Sequence, residues 1–139
     1  MFNQFNSNTV AVSNIELFST FETWEERYEY LMELGSLLPV QPESFKKPER
    51  RVSGCQSRVW LDIQVNSEGI YTITAESDAL IVRGLLYVIQ ALYSGKNQQQ
   101  IQSTPQNIPA IIGLEGKLSI TRLNGLQSVL TRIYTYPTV

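Results

Sequence analysis

Two long segments of the chain repeat apolar residues with a helical period. The first follows Thr23 and Glu26, which have the capping-box spacing that lets a hydroxyl and a carboxylate each satisfy a free backbone N–H. Its apolar residues share one helical face, and we expect the helix to end near Gly35. These apolar residues are Trp24, Tyr28, Leu31 and Met32. The second segment, residues 79–94, is apolar around almost its whole circumference, which predicts a helix in the core.

Between these helices the period changes from helical to alternating. From Val59 to Val65 every second residue is apolar, which is the pattern of a strand with one buried face. Residues 66–69 form a turn signal, and residues 70–75 are a second β-rich run. We therefore predict an antiparallel hairpin, with Trp60 packing across the sheet.

The flanking residues predict where the later helices begin and end. Ser77 or Asp78 can cap the core helix. The polar, glutamine-rich residues 96–107 predict at most a short capped helix. A last helix is expected to begin near Thr121 and to end before Pro137.

Length and element order together predict the fold class. A chain of 139 residues is long enough for one domain, so residues 1–139 are expected to form a single unit. A helix, a hairpin and then further helices predict an α+β fold, in which a small antiparallel β-sheet is covered on one face by α-helices. The polar residues 1–14 are expected to be disordered or loosely packed.

Composition excludes several function classes. With 11 basic and 13 acidic residues the net charge is −2, which provides no positive field for nucleic-acid binding. The chain has no histidine, which excludes Cys-His and Ser-His-Asp machinery and histidine-containing zinc sites. Its single cysteine can form neither an internal disulfide nor a multi-thiolate metal site.

The sequence also argues against a membrane location. The most apolar stretch, residues 79–93, contains Arg83 and is shorter than the ~20 residues that cross a bilayer. Residues 1–14 lack the pattern of a signal or transit peptide. We therefore expect a cytoplasmic protein with no membrane partner.

Charge is unevenly distributed along the chain. Residues 1–45 carry seven acidic residues and only one basic residue, Arg27, and most of the acids lie on the first helix as a solvated face or a partner surface. Five of the 11 cations then fall within 13 residues. They are Lys46, Lys47, Arg50, Arg51 and Arg58, and they flank the segment that contains Cys55.

Cys55 is the one residue that could carry covalent chemistry. It follows the flexible Gly54 and precedes the polar Gln56 and Ser57, in a loop that enters a strand. Nearby cations favour the thiolate and lower the pKa of a cysteine, although closeness in sequence does not guarantee contact. A small, buried, inert core cysteine is the alternative, and the residues alone leave both possibilities open.

The residues around Cys55 resemble a known signature. Residues 51–60 are similar to the GCQS-x-VW motif of the SufE family, the sulfur acceptors that work with cysteine desulfurases in iron–sulfur cluster assembly. Three further blocks agree with the family in order and spacing. They are residues 24–35 with Leu38-Pro39, residues 77–85, and Thr121-Arg122-x-Asn124-Gly125-Leu126. Together the four blocks extend from about Phe18 to Ile133.

The resemblance implies a SufE-like, IscU-like domain and a sulfur-transfer function. A SufS-type or CsdA-type desulfurase that contains pyridoxal phosphate would form a persulfide, and Cys55 would accept its outer sulfur. The chain would stimulate the desulfurase and pass the sulfur to a SufBCD-type scaffold. This chain itself would need no cofactor and no metal. A sulfur-carrying cysteine must also be protected, so we expect Cys55 to be partly sheltered in the free protein and exposed on docking.

The resemblance also implies roles for neighbouring residues. Gly54, Gln56, Ser57 and Arg58 would shape the cysteine loop, and Arg122 would lie near the acceptor site and the desulfurase contact. Asp78 matches a position beside the loop, although helix capping explains it without any function and is the explanation we favour. Thr121 stands where the family has serine and keeps a capping hydroxyl, and Leu123 is bulkier than the residue expected there.

Two other functions compete with sulfur transfer. The chain could be a non-covalent adaptor or regulatory binding module in which Cys55 is structural and the charged surfaces bridge partners. It could also be a cluster scaffold of the IscU type, but one cysteine and no histidine leave too few soft ligands. The sequence does not distinguish a SufE from a CsdE, nor does it reveal the oligomeric state.

Overall fold

The computed structural model describes residues 10–137. Residues 10–16 are helical and lead into a 3₁₀ turn. The elements that follow are α1 (Trp24–Leu37), 3₁₀ turns at Glu43–Phe45 and Pro48–Arg50, β1 (Val59–Val65), β2 (Tyr71–Ser77), α2 (Leu80–Tyr93), the short helices α3 (Gln98–Gln102) and α4 (Ile108–Ile111), and α5 (Ile120–Tyr134). None of the helices within this range is long and apolar enough to cross a membrane.

The two strands form the predicted antiparallel hairpin, and the α+β class is confirmed. Val59 pairs with Ser77 at one end of the ladder, and Val65 pairs with Tyr71 at the other. Between the strands, the Asn66 side chain accepts hydrogen bonds from two backbone N–H groups of the turn, at 2.9 Å each. An asparagine that bonds its own backbone in this way fixes the turn and hence the register.

The two faces of the hairpin differ in what covers them. Val59, Leu61 and Ile63 are buried and belong to the same core as α1, α2 and α5. On the opposite face, Trp60 is only 5% exposed, because cationic side chains lie over its ring. These are Lys46, Arg51 and Arg58, at 5.2, 5.7 and 5.5 Å from the ring centroid. Trp60 therefore packs under three cations. Each cation–π contact contributes about 0.5–1 kcal/mol at an exposed site.

Helices α1 and α2 cross at two glycines. A methyl group at Gly84 would overlap the backbone of Leu31, and one at Gly35 would overlap the carbonyl of Leu80. The backbones can approach this closely only because neither residue has a side chain. The predicted helix end near Gly35 is confirmed to within two residues, since α1 ends at Leu37, but Gly35 itself lies inside the crossing and does not terminate the helix.

The apolar face of α1 differs from the prediction in part. The capping box of Thr23 and Glu26 is present as expected. Of the predicted face, Leu31 is buried and Tyr28 and Met32 pack against the core as expected, whereas Trp24 is 41% exposed, with Lys117 Nζ 5.1 Å from its ring centroid. Leu34 and Gly35 are buried in addition.

A buried ion pair between α2 and β2 is hydrogen-bonded to the end of α1. Arg83 pairs with Glu76, whose side chain is 3% exposed. The same guanidinium donates to the carbonyls of Gly35, at 3.0 Å, and Leu38, and the Glu76 carboxylate also accepts from the backbone N–H of Gln41 at 2.9 Å. A buried charge is tolerated only when it is paired and hydrogen-bonded, so this network fixes the chain where it leaves α1.

Other termini differ from the sequence predictions by small amounts. The N-cap of α5 is Ser119, whose Oγ accepts from the N–H of Arg122 at 3.2 Å, so Thr121 is not the cap. The glutamine-rich stretch forms the short helix α3, with a capping box at Asn97.

The polar start of the chain is partly visible. Of residues 1–14, for which loose packing was predicted, 1–9 lie outside the described residues, and 10–14 are helical. Asn14 is fixed there: its side chain donates to Tyr87 Oη at 2.9 Å, and its carbonyl accepts from Tyr30 Oη at 2.8 Å.

Candidate functional site: the Cys55 loop

Cys55 lies in a short loop that is closed at its base by strand-like contacts. The N–H of Val52 donates to the carbonyl of Val59 at 2.9 Å, and Arg51 pairs with Trp60 as an isolated bridge. Gly54 has φ +86°, a left-handed conformation that side chains disfavour, and a methyl group there would come within 3.0 Å of Ser128 Oγ. Glycine at this position therefore serves both the turn and the close approach to α5.

The thiol of Cys55 rests on helix α5. Its Sγ donates a weak hydrogen bond to the carbonyl of Gly125 at 3.7 Å. A methyl group built on Gly125 would lie only 3.1 Å from this sulfur, so the missing side chain makes the space that the thiol occupies. Cys55 is partly buried in this position, as predicted for a sheltered but accessible thiol.

A small cavity of about 50 Å³ opens beside the sulfur, between the loop, α2 and α5. Its walls are mostly aliphatic, and the polar residues stand at the side of the loop and the start of α5. The lining residues are Cys55, Gln56, Ser57, Val59, Val82, Leu85, Leu86, Ile89, Thr121, Arg122, Gly125, Leu126 and Val129. The site therefore joins one nucleophilic side chain to an apolar space.

The structure brings Arg122 to this cavity, where the resemblance expects it. Arg122 is partly buried at the first turn of α5. Within residues 10–137 its Nε is buried without a hydrogen-bond partner. An unpaired buried donor is costly, so a guanidinium in this state is available to an acceptor or anion that enters the site.

Burial is the main electrostatic influence on the thiol. It raises the pKa of Cys55, while the nearby positive charge of Arg51 opposes this effect. Three of the cations that flank Cys55 in sequence are Arg50, Arg51 and Arg58, and each could favour the thiolate. Arg50 instead pairs with Asp62, and Arg58 pairs with Asp78, which leaves Arg51 as the cation that acts on the sulfur.

Asp78 holds the outgoing side of the loop. Its carboxylate accepts from Arg58 Nε at 2.9 Å and from the Arg58 backbone N–H at 3.2 Å. The hydrogen bond from the Arg58 side chain holds the pKa of Asp78 below its usual value. The capping prediction is wrong, since the N-cap of α2 is Ala79, which makes no side-chain cap. Asp78 instead binds Arg58 at the end of the cysteine loop, which is the position that the resemblance implies.

Two features of the site could not be read from the residues around Cys55. One is the role of Gly125 as the seat of the sulfur, and the other is the contact between Gly54 and Ser128. Both depend on α5, which is about 70 residues away in sequence. The glycine in the Asn124-Gly125-Leu126 block was the only signal of this contact in the sequence.

Comparison with known proteins is consistent with this geometry. The SufE family model, described as an Fe-S metabolism associated domain, matches residues 13–136. Uncharacterised SufE-like proteins of Rhizobium meliloti and Rhizobium etli are each 41% identical over 123 residues, covering 86% of this chain and 88% and 83% of theirs. The solution structure of a hypothetical protein from Thermus thermophilus has the same fold, with a TM-score of 0.68 at 22% identity, over 89% of this chain and 90% of that one.

Proposed function

This chain belongs to the SufE family, whose domain is associated with iron–sulfur metabolism, and on that premise we propose that Cys55 accepts sulfur from a cysteine desulfurase. The observation that carries the proposal is the position of the chain's one cysteine: in a loop, beside an apolar cavity, on a glycine of α5. An inert core cysteine would not need a φ-positive glycine before it and an empty space beside it.

The proposed step is an exchange between sulfur atoms. The Cys55 thiolate attacks the outer sulfur of a persulfide on the desulfurase. A new S–S bond forms on Cys55, the S–S bond on the desulfurase breaks, and the desulfurase cysteine leaves as a thiolate. One sulfur atom moves and no external oxidant or reductant is consumed.

The raised pKa of Cys55 fits a carrier that reacts only in the presence of its partner. In the free protein burial favours the neutral thiol, which is a poor nucleophile. When the loop leaves its seat in the complex, the burial is lost and the charge of Arg51 then favours the thiolate. We propose that docking on the desulfurase supplies this change.

The cavity fits the product of the transfer. Its volume of about 50 Å³ exceeds the ~10–15 Å³ that a cavity needs, measured in this way, to hold one water molecule, so one additional sulfur atom has room beside Cys55. Aliphatic walls keep water and small thiols away from the persulfide. Arg122 lines the same cavity, and its buried Nε, which has no hydrogen-bond partner among the described residues, can pair with the charge of a persulfide anion.

The proposed partners follow from the same chemistry. A SufS-type or CsdA-type desulfurase supplies the persulfide and contains the pyridoxal phosphate, so this chain needs no cofactor for the step. A SufBCD-type scaffold receives the sulfur. We propose that the reaction takes place in the cytoplasm.

Stimulation of the desulfurase tests this function. A SufS-type enzyme is given free cysteine and a reductant, and alanine formation is followed as the chain is added. We expect the wild type to stimulate turnover, and Cys55→Ser to bind with similar affinity without stimulating. Equal stimulation by both proteins would contradict sulfur acceptance and support the adaptor function.

A further inference from the structure

Helix α5 contacts the cysteine loop at its base as well as at its tip. Arg132, in the last turns of α5, donates from Nη1 to the carbonyl of Arg51 at 2.9 Å and from Nη2 to the carbonyl of Glu49 at 3.2 Å. These two carbonyls belong to the segment that leads directly into the Cys55 loop. Arg132 therefore joins this segment to the helix through two parallel hydrogen bonds.

The contacts with the loop follow one face of α5. Gly125 accepts the thiol hydrogen bond, Ser128 lies against Gly54, and Arg132 holds the segment before the loop. Residues three, four and seven positions apart share a side of a helix, so the three residues form one continuous line of contact. The loop is thus aligned on α5 from its base to its tip.

The contacts along this line differ in strength. Hydrogen bonds from a charged guanidinium are roughly twice as strong as neutral ones. The thiol bond at 3.7 Å is weak by comparison. Among the described residues, apart from the turn that Ser53 and Gly54 form within the loop itself, residues 53–57 make no hydrogen bond to another segment than this one. The base is therefore firmly held, whereas the tip is free to leave its seat.

Other contacts already keep the base folded without Arg132. Arg50 pairs with Asp62 and donates to the carbonyl of Phe45 at 3.1 Å, and Val52 bonds Val59 across the base. Glu49 and Arg51 are both exposed, so water can replace the guanidinium at their carbonyls. Loss of Arg132 should therefore loosen the alignment of the loop on α5 without unfolding the domain.

We propose that Arg132 is a positioning residue that keeps the base of the Cys55 loop on α5 and thereby keeps the sulfur seated on Gly125 beside the cavity. Its consequence for sulfur transfer rests on the proposed function, whereas its effect on the seat is a property of the free protein. No residue pattern near Cys55 indicates this role.

The reactivity of Cys55 in the free protein tests this directly. Iodoacetamide labelling is compared in the wild type, Arg132→Met, Arg132→Lys and Lys117→Met. Lys117→Met is the matched control, because it removes a cation that contacts the ring of Trp24 on α1, away from the cysteine loop. We expect Arg132→Met to be labelled about threefold faster or more, Arg132→Lys to lie between it and the wild type, and Lys117→Met to match the wild type.

A second measurement separates local loosening from unfolding. Labelling is repeated at low urea concentrations, because opening by global unfolding accelerates steeply with urea and local opening does not. A rate increase in Arg132→Met that is independent of urea supports the proposal. A rate equal to the wild type, an equal increase in Lys117→Met, or an increase that follows the urea dependence of unfolding would each overturn it.

The same variants distinguish this inference from the proposed function. If the wild type receives no sulfur from a desulfurase but Arg132→Met still labels faster, only the proposed function fails. If sulfur transfer occurs and labelling is unchanged, only the role of Arg132 fails.

Discussion

The seat of the sulfur on Gly125 gives the sharpest prediction. Gly125→Ala places a methyl carbon 3.1 Å from Cys55 Sγ, where atoms of this size normally stay about 3.5–4.0 Å apart. The sulfur must therefore move away by roughly 0.5 Å. Because its hydrogen bond to the Gly125 carbonyl is already 3.7 Å long, this displacement breaks it.

The size of the effect follows from that bond. A weak S–H···O contact contributes about 0.5–1 kcal/mol, so its loss raises the population of the unseated loop about two- to fivefold. The stability of the whole domain should fall by about 0–2 kcal/mol. The helix gains up to about 1 kcal/mol from replacing glycine with alanine, which offsets only part of the local overpacking of about 1–3 kcal/mol.

The assay is the rate of Cys55 labelling by iodoacetamide at constant pH, together with urea unfolding. Gln127→Ala, an exposed substitution on the same helix, is the control. We expect labelling of Gly125→Ala to be about two- to fivefold faster, with the control unchanged. A rate equal to that of the wild type would refute the argument that this glycine seats the sulfur.

Four further predictions follow from the geometry. Since burial raises the pKa of Cys55, its labelling rate should rise with pH around a midpoint above that of a free cysteine, and Arg51→Met should move the midpoint higher still; a midpoint below that of a free cysteine would contradict this. The folded protein favours the neutral thiol of Cys55, so this thiol should stabilise the fold fully below its pKa in the unfolded chain. The stabilisation should be lost as the pH rises through the pKa of the folded protein. Urea unfolding of the wild type and of Cys55→Ser at several pH values can measure this. Arg83→Met leaves the Glu76 carboxylate buried without its cation and should lower the free energy of unfolding by about 3–5 kcal/mol; a loss below about 1 kcal/mol would show that the pair is dispensable. Gly84→Ala forces the α1 and α2 backbones apart and should cost about 2–3 kcal/mol in thermal or urea unfolding, whereas a stabilised variant would mean that helix propensity outweighs the crossing.

The hairpin and the main helices could be predicted from the sequence because their signals are local. Alternation from Val59 to Val65 and the turn at residues 66–69 need only neighbouring residues to be recognised. The end of α1 was predicted to within two residues, but the role of Gly35 was not. Gly35 looks like a helix stop in the sequence, whereas in the structure it faces another helix whose own glycine lies 49 positions later. Such a close approach between two distant segments cannot be recognised from neighbouring residues.

The candidate site could likewise be predicted only where its signals are local. The motif around Cys55 and the block containing Arg122 were recognised, and both lie at one cavity. The electrostatics were not predictable, because Arg50 and Arg58 are taken by Asp62 and Asp78 in the folded chain. Which cation acts on a thiol depends on such pairings, and these are made between segments that only the fold brings together.

The mass of the intact protein after reaction with a desulfurase tests sulfur acceptance by Cys55 most directly. The chain is mixed with a SufS-type desulfurase and free cysteine, and analysed with and without a reductant, with Cys55→Ser as the control. We expect the wild type to gain at least one sulfur atom, the reductant to remove it, and the control to gain none. A desulfurase that forms its own persulfide but leaves the mass of the wild type unchanged would contradict the claim that Cys55 accepts sulfur.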